Sequence, residues 1–203
     1  EYLISRVKSG KLPESRIDES LARIIRTKNK YKINEWQPRT VKQIQRIIHS
    51  TSKSRFVKNT TTRSITLLKD DQHLIPLKVN PAEKIFIIDP YHTKFNLNRV
   101  VELSKQIRKY HSKTVSCVFD VDGRTNQAGV NRKIQRILNQ AKQADYLIIG
   151  TVDALFFPER AELVNRLLKL NKPTIIVATR SPFDYLAFPE VKTYLATYCL
   201  YDS

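Results

Sequence analysis

The sequence predicts an α/β fold: a three-layer αβα sandwich with a mostly parallel doubly wound sheet, preceded by an N-terminal helical segment. Three observations carry that expectation. From Ser64 onward, short apolar runs alternate with amphipathic stretches. Several of the runs are apolar without alternation, as a strand covered on both faces must be. The first third of the chain instead repeats its apolar residues at helical spacing. Strand–helix–strand alternation gives parallel neighbours, so a strand order near 2-1-3-4-5, or a close variant, is expected. The division falls at residues 1–62 for the helical segment and 63–203 for the sandwich.

In the helical segment, Ser15-Arg16-Ile17-Asp18 has capping-box spacing, with Pro13 just upstream. Ile17, Leu21, Ile24 and Ile25 then line one face, and Tyr31 ends the stretch. Pro38 breaks the chain. Thr40-Val41-Lys42-Gln43 offers a second capping box, followed by a stripe of Val41, Ile44, Ile47 and Ile48. A third helical stretch is predicted from Ser54 towards Arg63, weakened by Thr60, Thr61 and Thr62, since β-branched residues are poor helix formers.

In the sandwich, strands are predicted at 65–68, 85–88, 115–119, 146–149, 174–178 and 194–200. Helices are predicted at 97–110, 129–143 and 158–170. The second of these carries Val130, Ile134, Ile137, Leu138 and Ala141 on one face.

Composition narrows the classes of function. The chain has 203 residues and 41% hydrophobic content, enough for a sizeable core. It has no apolar run long enough to span a membrane. It opens at Glu1 without Met or a signal-peptide pattern, which leads us to expect a fragment or a processed chain. The net charge is +17, and from Ser20 to Lys69 thirteen Lys and Arg face a single acid, Glu35. Such a field attracts polyanions non-specifically, with strong salt dependence, or forms a solvated helix surface. Cys117 and Cys199 sit in apolar runs and read as buried thiols.

Common catalytic and cofactor signatures are missing. The chain has 4 glycines, which build neither a GxGxxG nor a P-loop, and no GxSxG elbow occurs. Its four histidines are scattered without metal-ligand spacing. No cofactor and no metal is expected, and no catalytic residue is assigned. Ligands of doubly wound sheets lie beyond the carboxyl ends of the strands. Those ends supply the candidate substrate- or interface-binding residues: Asp120, Asp122 and Arg124 after one strand, Asp153 after the next, and Arg180, Ser181 and Asp184 after the third. Asp120 and Asp122 alternate along an extended stretch and should point to opposite sides. Arg180 could point toward Asp120, Asp153 or a partner. Asp184 stands where it could cap the first turn of a helix, with Pro182 holding the approach rigid.

Three segments resemble one family in order. Arg16 to Lys28 (RIDESLARIIRTK) is similar to the helix that closes the barrel domain of glycoside hydrolase family 3. Arg63 to Leu77 (RSITLLKDDQHLIPL) resembles the strand and turn that open its second domain. Val177 to Asp184 (VATRSPFD) resembles a loop of the bacterial two-domain β-N-acetylhexosaminidases. The resemblance implies that residues 1–62 are the end of a barrel domain and a linker, and that 63–203 are a C-terminal sandwich. It implies an N-terminal barrel as partner, an amino-sugar glycan as substrate of the whole enzyme, and a bacterial envelope or secreted location rather than the cytoplasm. In the hexosaminidase branch of that family the Asp nucleophile and the Asp–His pair lie in the barrel, and neither of their motifs occurs here; Asp153-Ala154-Leu155 is only a superficial echo of one. The isolated chain is therefore expected to be inactive. The alternative is a non-enzymatic basic module that docks on a polyanion.

Overall fold

The computed structural model describes residues 1–92, 99–100, 103–121 and 125–198. The chain divides into two compact units, Glu1–Lys53 and Ser54–Ser203. No helix among the described residues is long and apolar enough to cross a membrane.

The first unit holds α1 (Tyr2–Lys8), α2 (Glu14–Lys30), a 3-10 turn at Ile33–Glu35, and α3 (Val41–Ile48). The Thr40 capping box forms as the spacing predicts: Thr40 Oγ1 accepts the Gln43 N–H at 3.3 Å, and Gln43 Oε1 accepts the Thr40 N–H at 2.8 Å. The Ser15 box does not form. Extended Pro13 is the N-cap and makes no side-chain cap, so helix geometry begins at Glu14 and Ser15 already lies in the first turn. None of these helices buries a residue. The α2 stripe is left open, with Leu21, Ile24 and Ile25 exposed by 51, 52 and 47%.

The helix α4 (Thr51–Ser64) leads into the sheet strands β1 (Thr66–Asp70), β2 (Ile85–Asp89), β5 (Thr114–Val118), β6 (Tyr146–Thr151), β7 (Thr174–Ala178) and β8 (Thr193–Ala196). A two-residue ladder, β3 (Tyr91–His92) with β4 (Arg99–Val100), stands apart. The sheet order is β1-β8-β7-β6-β2-β5. Every pairing is parallel except β1 with β8. Counted along the chain, the parallel strands lie in the predicted order 2-1-3-4-5, and β1 extends the far edge. Asp70 clamps that edge. Its carboxylate accepts the Leu74 and Ile75 N–H groups at 2.9 and 3.0 Å and the Thr193 hydroxyl at 2.9 Å. Burial pushes this carboxyl up, but those three hydrogen bonds together with the nearby His73 outweigh it and hold it below the ordinary value.

Strand alternation separates two cores. Phe86, Ile88, Leu147, Ile149 and Ile176 face α6 (Gln127–Ala141) and α7 (Pro158–Leu168), meeting Ile134, Ile137, Leu163 and Leu167. Ile85, Ile87, Ile148, Ile175 and Val177 face the other way, against Leu74, Ile75 and Leu77 and against Leu103 and Ile107 of α5 (Leu103–Ile107). Here the structure corrects the helix predicted at 97–110. Arg99–Val100 pair as a strand, and the helix starts at Leu103 because buried Asp89 anchors its first turn, accepting the Ser104 N–H at 2.9 Å and the Ser104 hydroxyl. Part of the predicted 97–110 and 194–200 elements lies outside the described residues.

Candidate functional site

In the strand order found here, the crevice expected to take a ligand lies where the winding reverses, between the carboxyl ends of β2 and β6. It is nearly filled. The cavity there is about 30 Å³, bordered by Asp89, Pro90, Gly150, Thr151 and Arg160. Pro90 lies directly on Gly150, so the chain itself occupies the place where a cofactor would enter.

The polar groups instead gather one step along the edge, between the ends of β6 and β7. Thr179 ties the two strands together: its N–H and its hydroxyl both donate to the Thr151 carbonyl, at 3.0 and 2.9 Å. Beyond Thr151 the backbone turns, with Asp153 in the left-handed region (φ 52°). Asp and Asn tolerate that geometry better than most residues. The Asp153 carboxylate is buried and accepts Arg180 Nη1 at 2.5 Å, while the Arg180 side chain stays 41% exposed at the rim. From α7, buried Arg160 reaches back and donates Nη1 to the Val152 carbonyl at 2.6 Å, its guanidinium lying 4.3 Å from the centre of the Phe157 ring. Burial pushes Arg160 down from its ordinary value, and the charges of Glu159, Asp153 and Asp184 oppose this.

Asp184 is completely buried. The predicted helix is a 3-10 helix, Pro182–Ala187, and its N-cap is Ser181, whose hydroxyl accepts the Phe183 N–H at 3.3 Å. This corrects the expectation that Asp184 is the cap. Pro182 opens the helix, so the capping position is Ser181, and Asp184 has already turned inward. There Asp184 Oδ1 accepts the Leu155 N–H at 3.3 Å. Its Oδ2 and the Thr151 hydroxyl are both buried and reach no full hydrogen bond. The hydroxyl is close enough to favour the ionised carboxyl weakly. Burial dominates and pushes Asp184 up; the Ala154 and Leu155 N–H groups and Thr151 oppose this, and the Asp153 charge adds to it.

This shift has a definite sign in stability. A carboxyl raised in the folded state is penalised where the unfolded chain is already ionised. The penalty is absent well below 3.8, grows as pH rises through the folded value, and is constant above it. Asp184→Asn is expected to remove that component. Wild-type minus variant unfolding free energy, measured by denaturation from pH 4 upward, should fall with pH and then level. A flat difference across that range would show that Asp184 titrates normally. Asp70 is shifted the other way and acts below 3.8, outside this window.

The other candidates separate. Asp120 is bound by Lys133, which donates to both its carbonyl and its carboxylate at 2.9 Å, and it is not part of the Asp153–Arg180 cluster. Asp122 and Arg124 lie outside the described residues. The sequence reading brought Asp153, Arg180 and Asp184 to one edge but missed Arg160. The available signal was its place in the first turn of α7, where the helix dipole disfavours a cation. Chemically, the cluster suits binding rather than bond breaking. Both carboxylates are buried, at 5% and 0% exposure, whereas Arg180 and the exposed rings of Phe156 and Phe183 face outward. Cys117 is no nucleophile either, since burial, with Asp89 adding to it, pushes the thiol up to about 12.

These features define a doubly wound αβα sandwich with a closed switch point and a charged rim beside it. No family model and no curated protein matches the sequence. Among solved structures, the chain is similar to a fungal multi-domain GH3 β-N-acetylglucosaminidase, at TM-score 0.66 and 23% identity over 97% of this chain and 22% of that one. It is similar to a glycoside hydrolase family 3 β-N-acetylglucosaminidase from Paenibacillus sp. str. FPU-7, at 0.65 and 22% over 97% of this chain and 37% of that one. It is also similar to a β-glucoside phosphorylase, at 0.60 and 18% over 98% and 36%. The chain thus has the fold of a part of these GH3 proteins and spans 22–37% of their length.

Proposed function

We propose that the chain is the C-terminal accessory domain of a family 3 glycoside hydrolase of β-N-acetylhexosaminidase type, and that its helical segment seats against the catalytic barrel. The observation that carries this reading is the open apolar face of α2. Leu21, Ile24 and Ile25 lie at helical spacing, about half exposed, in a helix that buries nothing. An apolar stripe of this kind is ordinarily covered. The similarity to GH3 chains far longer than this one, together with the RIDES segment on the same helix, supports a barrel as the cover. In this role the domain contributes no catalytic group. It covers the barrel, presents the Arg180 rim to it or to the substrate cleft, and serves an enzyme acting on N-acetylglucosaminides in the bacterial envelope or outside the cell.

The test is to express the chain with the reading frame that precedes Glu1 in its gene. The chain alone should not hydrolyse a chromogenic N-acetylglucosaminide, and it should bind the upstream product when the two are supplied separately. The double change Leu21→Glu and Ile25→Glu should weaken that complex at least tenfold, since each removes an apolar anchor and buries a charge. Turnover by the chain alone, or an upstream frame with no barrel, sinks the reading. In the second case, retention on heparin that is lost at high salt would favour the polyanion-docking alternative, for which the run of exposed basic residues in α2 and α3 speaks.

A further inference from the structure

The edge of the sheet opposite the polar cluster carries an open groove. Its volume is about 610 Å³, and it lies where β7 and β8 begin and α7 ends. That size is ordinary for a small-molecule site. Its charge is lopsided. Lys169, Lys172 and Lys192 line it against one carboxylate, Glu190. Lys172 is used structurally, donating to the Ala144 carbonyl. Lys169 and Lys192 are exposed and make no ion pair among the described residues.

The neutral groups are oriented in advance. Gln72 Oε1 accepts the Thr174 N–H at 3.3 Å, which fixes the amide and leaves Nε2 as a donor without a hydrogen-bond partner among the described residues. Asn165 Nδ2 donates to the Ala187 carbonyl at 3.0 Å, which leaves Oδ1 as an acceptor without a hydrogen-bond partner among the described residues. Amides fixed by backbone bonds lose little freedom on binding hydroxyl groups. Leu168 and Pro189 add an apolar surface suited to the C–H face of a sugar ring.

We infer that this groove binds a small polyhydroxylated anion, a sugar acid or a sugar phosphate: Lys169 and Lys192 take its charge, and Gln72, Asn165 and Glu190 take its hydroxyls. The inference is independent of the barrel-docking reading, which concerns the helical segment.

The test is calorimetric titration of the full chain with glucuronate and with glucose 6-phosphate, using glucose and inorganic phosphate as controls. One sugar anion should saturate one site per chain, and each control should bind at least tenfold more weakly. The arm that saturates identifies carboxylate or phosphate as the anionic group. Lys169→Gln with Lys192→Gln should weaken binding about tenfold or more, as expected when charge-assisted bonds are lost. Lys28→Gln with Lys30→Gln, which removes the same charge from α2, should leave it unchanged. The proposal fails if neither sugar anion saturates, if inorganic phosphate binds as well as they do, or if the two double variants lose affinity equally. The last outcome would mean that the general +17 charge is responsible.

Discussion

Arg160→Ala is expected to destabilise the sandwich by about 3–5 kcal/mol, the cost typical of removing one member of a buried charge network. Three losses coincide. The Val152 carbonyl, at the end of β6, loses the donor that holds it at 2.6 Å. The Phe157 ring loses the guanidinium stacked on it. Asp153 and Asp184 lose a cation, and Asp184 is already penalised by burial. The last term can be isolated. If the buried negative charge is the problem, Asp184→Asn should stabilise the Arg160→Ala background by about 1 kcal/mol or more beyond what it does in the wild type, so the two changes are not additive. Arg160→Met keeps the stem and much of the packing, and should lie between wild type and alanine. Urea unfolding of the wild type, the three single variants and the double variant measures all of this. An Arg160→Ala cost under about 1 kcal/mol, with additive behaviour toward Asp184→Asn, would show that the network carries no weight.

Arg160 also marks where sequence reading reached its limit. The strands were legible because β2, β6 and β7 are buried on both faces, and that requirement writes an unbroken apolar run into the sequence. The α6 face was legible for the same local reason, and all five of its predicted residues are buried. The parallel order followed from the alternation of elements. What failed depended on groups far apart in the chain. The helix predicted at 97–110 begins late because Asp89, fifteen positions away from Ser104, fixes its first turn. Asp184 reads locally as a cap, but its contact is Leu155, twenty-nine positions away on another loop. Arg160 was not singled out, because its first-turn place in α7 marks it as unusual but does not reveal the Val152 carbonyl it serves, eight positions away. The Asp153–Arg180 pair could be offered only as one option among three, since a shared edge does not determine which side chains meet.

Gly150→Ala is the second large effect expected, about 3 kcal/mol or more of destabilisation, at the upper end of what overpacking a core costs. Gly150 has an ordinary strand conformation, so the constraint is space and not backbone freedom. A Cβ built there would overlap Pro90 Cδ and stand 2.7 Å from Pro90 Cγ and 2.9 Å from Leu103 Cδ1. Leu103 Cδ1 is the end of a side chain and can turn aside, but Pro90 cannot yield cheaply, because it is a ring in the main chain directly after β2. The extra methyl would have to displace the Pro90 ring and the main chain that carries it away from the end of β6. Glycine here is therefore the counterpart of the closed switch point: it lets Pro90 fill the place a ligand would take. Pro90→Ala tests the account from the other side. It removes the ring carbons nearest the new methyl, so Gly150→Ala should cost clearly less in a Pro90→Ala background than in the wild type. Thermal unfolding of the two single variants and the double variant reads this out, and equal costs in both backgrounds would show that Pro90 is not what excludes the methyl.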